Sequence, residues 1–441
     1  MNRRSLTGLT LMILVAVLLP VGQAAGDSVS QLIVVLKESA NPQAVANDHT
    51  RKYGVTVHYV YRKALKGYAG AIPSQSVGAV SSDARVLYVT PDEVVQAPNP
   101  EPEIVPVPPG GGGLQPERPR AGGAQRGDGT QVVPRNIRRV DAELSPTADI
   151  DGIDDDRVDV DVAVIDTGID SHPDLNVVGG VACGPGRKGF RDLDGHGTHV
   201  AGTVAAIDNS TGVVGVAPGA RLWAVRVFGK RTSSVSHILC GIEWVTATRL
   251  DSDPGNDIEV ANMSLGHRGA DDGNCGLTTR DVWHQAICKS VAAGVTYVVA
   301  AGNESQDSAN ARPAAYDEVI TVSAMTDTDG EPGGLGSPDI CFEEFEDDTF
   351  AFFSNFGADV DLTAPGVCIG STWIDGLFAL VTGTSMSSPM VAGGAALYIA
   401  THPGASPAQV KAALISAGTF DYESDEDPDG IKEPLLNVGS L

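Results

Sequence analysis

The apolar and polar positions change rhythm twice along the chain, dividing it into three stretches. In residues 28–97, Gln31–Leu36 reads as a strand, Pro42–Tyr53 as a helix and Val55–Tyr61 as an alternating strand. The region near Ser74–Val80 reads as a further helix and Val86–Val89 as a strand. These predict a small α+β unit of roughly seventy residues, whose core is marginal in isolation. From Gly129 to Leu441, Val158–Ile165, Arg221–Val227, Ile258–Met263, Thr296–Ala301 and Val319–Ala324 read as strands. His199–Ile207, Ser234–Ala247, Thr279–Ala293 and Ser387–Thr401 read as helices between them. Such alternation predicts the α/β class, a parallel sheet with helices on both faces. Residues 98–128 lose both rhythms. Pro98, Pro100, Pro102, Pro106, Pro108 and Pro109 run into Gly110–Gly113, then Pro116 and Pro119. This is an extended, solvated linker, and its Arg126-Gly127-Asp128 reads as chance in a Gly/Arg-rich stretch.

Residues 1–25 fit neither rhythm. Arg3 and Arg4 precede an apolar run from Leu9 to Leu19, then Pro20 and the small residues Gly22, Ala24 and Ala25. That order predicts a signal peptide cleaved after Ala24 or Ala25. The run falls short of the ~20 apolar residues a membrane span needs, so a soluble, secreted protein is expected, not an anchored one. Cys183, Cys240, Cys275, Cys288, Cys341 and Cys368 allow three disulfides, in fifteen connectivities the sequence cannot choose between. Cys275–Cys288 and Cys341–Cys368 would each close a short local loop. No spacing matches a metal site, so the cysteines read as staples. The net charge is −26, nearly all of it beyond the linker. Such acidity speaks against a nucleic-acid partner and fits calcium binding or solubility in salt.

In open α/β sheets chemistry gathers at the carboxyl ends of strands. Asp166 ends the run Val162–Ile165, His196 opens a helix in Asp194-Gly195-His196-Gly197-Thr198-His199, and Ser385 opens another in Gly383-Thr384-Ser385-Met386. A serine hydroxyl becomes a nucleophile when an imidazole takes its proton, and a buried carboxylate can fix that imidazole's tautomer. Taken singly, each residue has a duller reading: a strand-end cap, a structural histidine, a helix N-cap. His199 is a rival histidine and, with His196, a conceivable metal pair. With no third ligand nearby, it reads as a packed helix residue.

Together the three blocks resemble the signature blocks of the subtilisin family, in that family's order, over roughly residues 130–440. The resemblance implies a subtilisin-like catalytic domain and a serine endopeptidase that cuts peptide bonds through an acyl-enzyme on Ser385. Asn303, in Ala300-Ala301-Gly302-Asn303, resembles the family's oxyanion donor. Ser264-Leu265-Gly266 resembles the edge that pairs with substrate, with Gly302 lining the specificity pocket and Ala311 near its base. Ile207-Asp208-Asn209-Ser210-Thr211-Gly212-Val213 resembles the family's calcium loop. That implies a structural calcium held by Gln131, Asp174, Ile207, Asn209, Thr211 and Val213, an all-oxygen set. Residues 28–97 resemble the propeptide, an intramolecular inhibitor whose Pro91–Ala97 end is expected in the cleft. Protein or peptide substrates, no membrane partner and a monomer complete the expectation.

Two other acidic runs are weaker. Asp425-Glu426-Asp427-Pro428-Asp429-Gly430 imitates the start of an EF-hand loop, but its twelfth position is Leu436 where that loop has Glu. Asp149–Asp156 reads as a solvated loop. Two other functional classes compete: a catalytically silent binding protein on this scaffold, and an ester hydrolase with the same triad. The four polar residues kept together oppose the first, and the strand-forming Ser264–Gly266 opposes the second. The serine motif is also not the G-x-S-x-G of α/β-hydrolases.

Overall fold

The computed structural model describes residues 28–97, 131–186, 189–229, 232–337, 346–423 and 427–441. The expected signal peptide and the linker lie outside these residues, as does Cys341 of the expected Cys341–Cys368 pair.

In the N-terminal unit, β1 (Val29–Leu36), α1 (Pro42–Tyr53), β2 (Thr56–Tyr61), β3 (Gly67–Pro73), α2 (Val77–Ser81) and β4 (Val86–Pro91) follow in order. The four strands form an antiparallel sheet ordered β2-β3-β1-β4. Alternation along β1 decides what each face covers. Val34 and Leu36 pack with Val45 and Val80 of the unit's own helices. Ile33 and Val35 join a core supplied by the larger unit. The strand β3 is absent from the sequence expectation because Gly67, Ala69, Gly70 and Ala71, all depleted in strands, interrupt its pattern. Its glycines are there for space: a Cβ at Gly67 or Gly70 would stand 2.3 Å from the carbonyl oxygen of Val34 or Thr56.

After β5 (Val94–Gln96), the larger unit runs α3 (Arg135–Arg139), β6 (Asp161–Asp166), β7 (Val177–Ala182), α4 (His196–Ala205), β8 (Arg221–Arg226), β9 (Thr232–Ser234) and α5 (Val235–Thr248). Then come β10 (Val260–Met263), β11 (His267–Arg268), α6 (Val282–Ala292), β12 (Thr296–Ala300), β13 (Ala311–Arg312) and β14 (Ile320–Thr326). The chain closes with β15 (Thr349–Phe350), β16 (Leu362–Pro365), β17 (Ile369–Trp373), β18 (Leu377–Val381), α7 (Thr384–Thr401) and α8 (Pro407–Ala417). The main sheet is ordered β15-β14-β12-β10-β6-β8-β7, with β16 also on β14, and only β15 is antiparallel.

Both sheet faces are covered, as expected. Val162, Val164, Leu222 and Val298 pack with residues of α4, α7 and α8. Ala163, Ile165, Val225 and Met263 pack with α5 and α6. Each fully buried Val or Ile contributes about 1.5–3 kcal/mol, so the strands that hold the site are held from both sides. Cys183 bonds to Cys240 and Cys275 to Cys288. The first ties the end of β7 to α5, and the second is one of the two short loops expected.

Three helix boundaries move from their expected places. Asp281 caps α6 by accepting from Trp283 N–H, so that helix starts at Val282 and not Thr279. The helix expected at Ser387 starts at Thr384 and takes in Ser385. The one read over His199–Ile207 starts at His196, the residue expected to open a helix there, and ends at Ala205.

Candidate active site

Asp166 is the last residue of β6, fully buried, and its Oδ1 accepts from the Thr167 N–H at 2.6 Å. His196 is the first residue of α4, and its Nδ1 lies 2.8 Å from the same Oδ1. Two glycines allow that approach. A Cβ at Gly197 would stand 2.2 Å from the Gly168 carbonyl oxygen, and one at Gly195, where φ is +116°, 2.2 Å from the Trp373 ring. Asp192 anchors the turn before α4, its carboxylate accepting from the N–H groups of Asp194, Gly195 and Thr198. Sequence reading missed this residue, although an aspartate just before a helix is a cap signal.

His196 Nε2 is buried and has no hydrogen-bond partner. Burial pushes the imidazole's proton affinity down, but the Asp166 carboxylate, helped by Asp192 and Asp194, outweighs it and raises the pKa overall. The ring therefore has one nitrogen held by a carboxylate and the other free to accept a proton.

Ser385 lies in the first turn of α7, where backbone N–H groups lack intrahelical acceptors. Pro389, four residues on, has no N–H to give the Ser385 carbonyl. The Ser264 hydroxyl donates to that carbonyl instead, at 2.8 Å. Ser264 is in turn held by Asn262, whose Oδ1 accepts from Ser388. Ser264 and Leu265 are thus buried and Gly266 exposed, so the side chain of Ser264 braces the serine turn. His199 is fully buried, its Nε2 against the carbonyls of Ile369 and Ala379, and burial pushes it down to about 3. It packs, as expected.

Asn303 follows β12, exposed, with Oδ1 accepting from both the N–H and the hydroxyl of Thr384 at 2.9 Å. Both bonds fix the amide so that its NH2 end is the free end. Gly302 precedes it at φ +110°, its N–H on Thr384 Oγ1, and a Cβ there would strike Asn355. Ala311 is buried in β13, paired with Arg268 of β11.

The N-terminal unit closes on this side of the molecule. β5 pairs antiparallel with β9, Val95 opposite Ser233, an edge the sequence reading did not single out. Asp92 accepts from the Ser236 N–H and hydroxyl at the start of α5, where the helix dipole favours a carboxylate. Glu243 of α5 accepts in return from the N–H groups of Lys63 and Ala64.

The calcium-loop residues converge. Asp174 is buried, with Oδ1 accepting from Asn209 Nδ2 at 2.9 Å and Oδ2 from the Val213 N–H at 2.9 Å. Burial raises its pKa to about 6, partly offset by those two donors. Gln131 Oε1 accepts from the Asn209 N–H, while its Nε2 donates to Asp208. Asp208, absent from the expected ligands, also accepts from Asp151 and Gly152. Ile207 donates its N–H to the Asp174 carbonyl, and Asn209 Oδ1 accepts from Thr211. Both Asp174 oxygens, Gln131 Oε1 and Asn209 Oδ1 thus accept from N–H groups here, and the side-chain oxygens gathered around one loop are of the type that suits a hard dication.

Residues 158–431 match the family model "Subtilase family", and residues 31–98 match "Peptidase inhibitor I9". The chain is 40% identical to subtilisin DY of Bacillus licheniformis over 294 residues, 66% of this chain and 92% of that one. It is 38% identical to subtilisin Savinase of Lederbergia lenta over 290 residues, with the same shares. A crystal structure of a cold-adapted subtilisin-like serine proteinase matches with a TM-score of 0.54 and 31% identity, covering 69% of this chain and 98% of that one. With a catalytic sheet built like theirs and an inhibitor-type unit ahead of it, the chain belongs to the subtilase family, as a serine endopeptidase made as a zymogen.

Proposed function

We propose that Ser385 is the nucleophile, His196 its base and then its acid, and Asp166 the group that orients His196. The observation that carries this reading is the His196 ring, tied to Asp166 through Nδ1 while buried Nε2 stands unpartnered. Ser385 Oγ attacks the scissile carbonyl as its proton passes to Nε2. Asp166 stabilises the imidazolium and remains ionised. The oxyanion is met by Asn303 Nδ2 and the Ser385 N–H at the positive end of α7. His196 then protonates the leaving amine, and water repeats the sequence on the acyl-enzyme. An active-site sulfonyl fluoride should label the mature enzyme once, on the peptide holding Ser385, as casein hydrolysis falls to zero. Label on any other residue with activity lost would remove this assignment.

Asn303→Ala should lower kcat by about 10²–10³ with KM little changed, since its amide serves the oxyanion more than the bound substrate. Steady-state rates on a peptide anilide measure this. A fall under threefold would mean that the side chain is only a loop residue fixed by Thr384. Comparing that anilide with a matched ester also separates a peptidase from an ester hydrolase.

The paired β5 and β9 edges and the Asp92 and Glu243 caps support residues 28–97 acting as an intramolecular inhibitor. Residues 1–25 serve export, cleavage falls near Ala97, residues 98–128 are trimmed and 129–441 remain as the secreted monomer. Among the described residues no helix is long and apolar enough to cross a membrane. Substrates are unfolded proteins or peptides, with Ser264–Gly266 and Gly302 along the substrate chain and no nucleic acid involved.

Gln131, Asp174 and Asn209, with the carbonyls of Ile207, Thr211 and Val213, would hold a structural calcium that supplies no chemistry to the reaction. Its charge would neutralise the buried Asp174 carboxylate. Asp174→Asn should therefore lose most of the calcium-dependent rise in unfolding temperature assigned to this loop. Equal calcium responses in variant and parent would count against the site.

A further inference from the structure

The acidic run near the C-terminus, set aside because its twelfth position is Leu436, looks different once folded. Asp427 and Glu433 are both buried, 6% and 3% exposed. Both Glu433 carboxylate oxygens lack any hydrogen-bond partner, and so does Asp427 Oδ2. The two carboxyls interact directly; burial raises the Glu433 pKa most, its own backbone N–H opposes that, and the side chains acting on it are Asp427 and Asp429, both acidic. Lys432, next in the chain, is turned away, its Nζ on the Tyr422 carbonyl and 4.7 Å from the Tyr422 ring centre. Three unpartnered, buried carboxylate oxygens in one place are costly unless a cation or a proton compensates them.

The backbone fits the cation. Gly430 takes φ +71° at the sixth position of the Asp425-x-Asp427-x-Asp429-Gly430 pattern, where cation loops of this type need a sharp turn. Glu433 then falls at the ninth position. From inside the fold it brings the carboxylate that the missing twelfth-position residue would have supplied. Asp425 and its neighbours 424–426 lie outside the described residues.

We propose that the stretch Asp427–Glu433 is a second calcium site, with Glu433 and Asp427 as its buried carboxylate ligands and backbone carbonyls and water completing an all-oxygen shell. Calcium suits it better than magnesium, because a loop with one two-oxygen carboxylate offers irregular geometry and many ligands. The ion would fasten the segment that bridges Thr419 to Leu435 and Leu435 to Thr363 at the sheet edge. This site shares no residue with the Asp174 loop, so the two can be tested apart.

The test uses the full chain in a Ser385→Ala background, which prevents self-digestion, and calcium counting by equilibrium dialysis with elemental analysis. Glu433→Gln should bind one calcium fewer per chain than its parent. Its calcium-induced rise in unfolding temperature should shrink by about 5 °C at saturating ion. In chelator, Glu433→Gln should melt at or above the parent temperature, because it removes a buried like-charge contact; this also shows that the variant folds. Asp427→Asn should repeat the loss of one ion. Asp174→Asn should remove a different ion, and its failure to do so would touch only the first site. Equal calcium counts in parent, Glu433→Gln and Asp427→Asn would overturn the proposal and leave a shared proton between the two carboxyls.

Discussion

Ser385→Ala should leave the purified chain at full length after signal removal, with casein hydrolysis reduced by a factor on the order of 10⁶. That size is the one seen when the serine of subtilisin itself is removed, not one derived from this chain. The reasoning is local. Ser385 sits where α7 begins, 6% exposed, with its carbonyl held by Ser264 and its neighbour Thr384 holding Asn303. Removing one hydroxyl disturbs none of these bonds, so the loss belongs to the chemistry. What remains, ~10³–10⁴ over water, is the oxyanion site and substrate positioning. Because the β5–β9 pairing and the Asp92 cap do not involve Ser385, the variant should also keep its propeptide bound. Intact mass and casein assays read both results. A variant processed like the wild type would mean that another protease matures the chain, and unchanged hydrolysis would remove Ser385 from the mechanism.

The sequence carried the main strands and the placement of Asp166, His196 and Ser385 because each obeys a local rule. Val162–Ile165 of β6 is an apolar run ending in the Asp166 carboxylate, and His196 and Ser385 lie in the first turns of helices whose N-caps are Gly195 and Gly383. What it did not carry depends on contacts between distant segments. β3 was hidden by Gly67 and Gly70, which matter through carbonyls of β1 and of the chain at Thr56. The β9 edge is three polar residues, Thr232-Ser233-Ser234, without apolar rhythm; they become a strand only because β5 lies beside them. The role of Ser264 rests on a carbonyl 121 residues away that Pro389 leaves without a donor. Some signals were present but unused. Ser406-Pro407-Ala408-Gln409 is a capping box with Pro at the first helical position, and it does start α8. The twelve-position pattern that starts at Asp425 tests residue types alone, and the burial of Glu433 lies beyond it.

Asp166→Asn is the sharper test of how the site works, because it changes one atom and keeps the shape. Activity should fall by about 10⁴ in kcat/KM, the size that loss of the orienting carboxylate carries in a serine protease of another fold. Both orientations of the new amide fail. If its oxygen stays toward Thr167 N–H and His196 Nδ1, the tautomer is right but the imidazolium loses its negative partner, and the NH2 replaces Oδ2 at a buried point where that oxygen has no hydrogen-bond partner. If the amide flips, its NH2 meets the Thr167 N–H and forces His196 to carry its proton on Nε2, where it cannot take one from Ser385. The pH profile should move as well. Asp166 raises the His196 pKa against the downward push of burial, and only the neutral ring is a base. Without the carboxylate the ring stays neutral to lower pH, so the acidic limb of kcat/KM should shift downward while its plateau drops. Unfolding temperature should change little, since the change leaves no cavity. A loss under tenfold with an unmoved acidic limb would mean that His196 is oriented by its seat on α4, between Gly195 and Gly197, and that Asp166 is only the end of a strand.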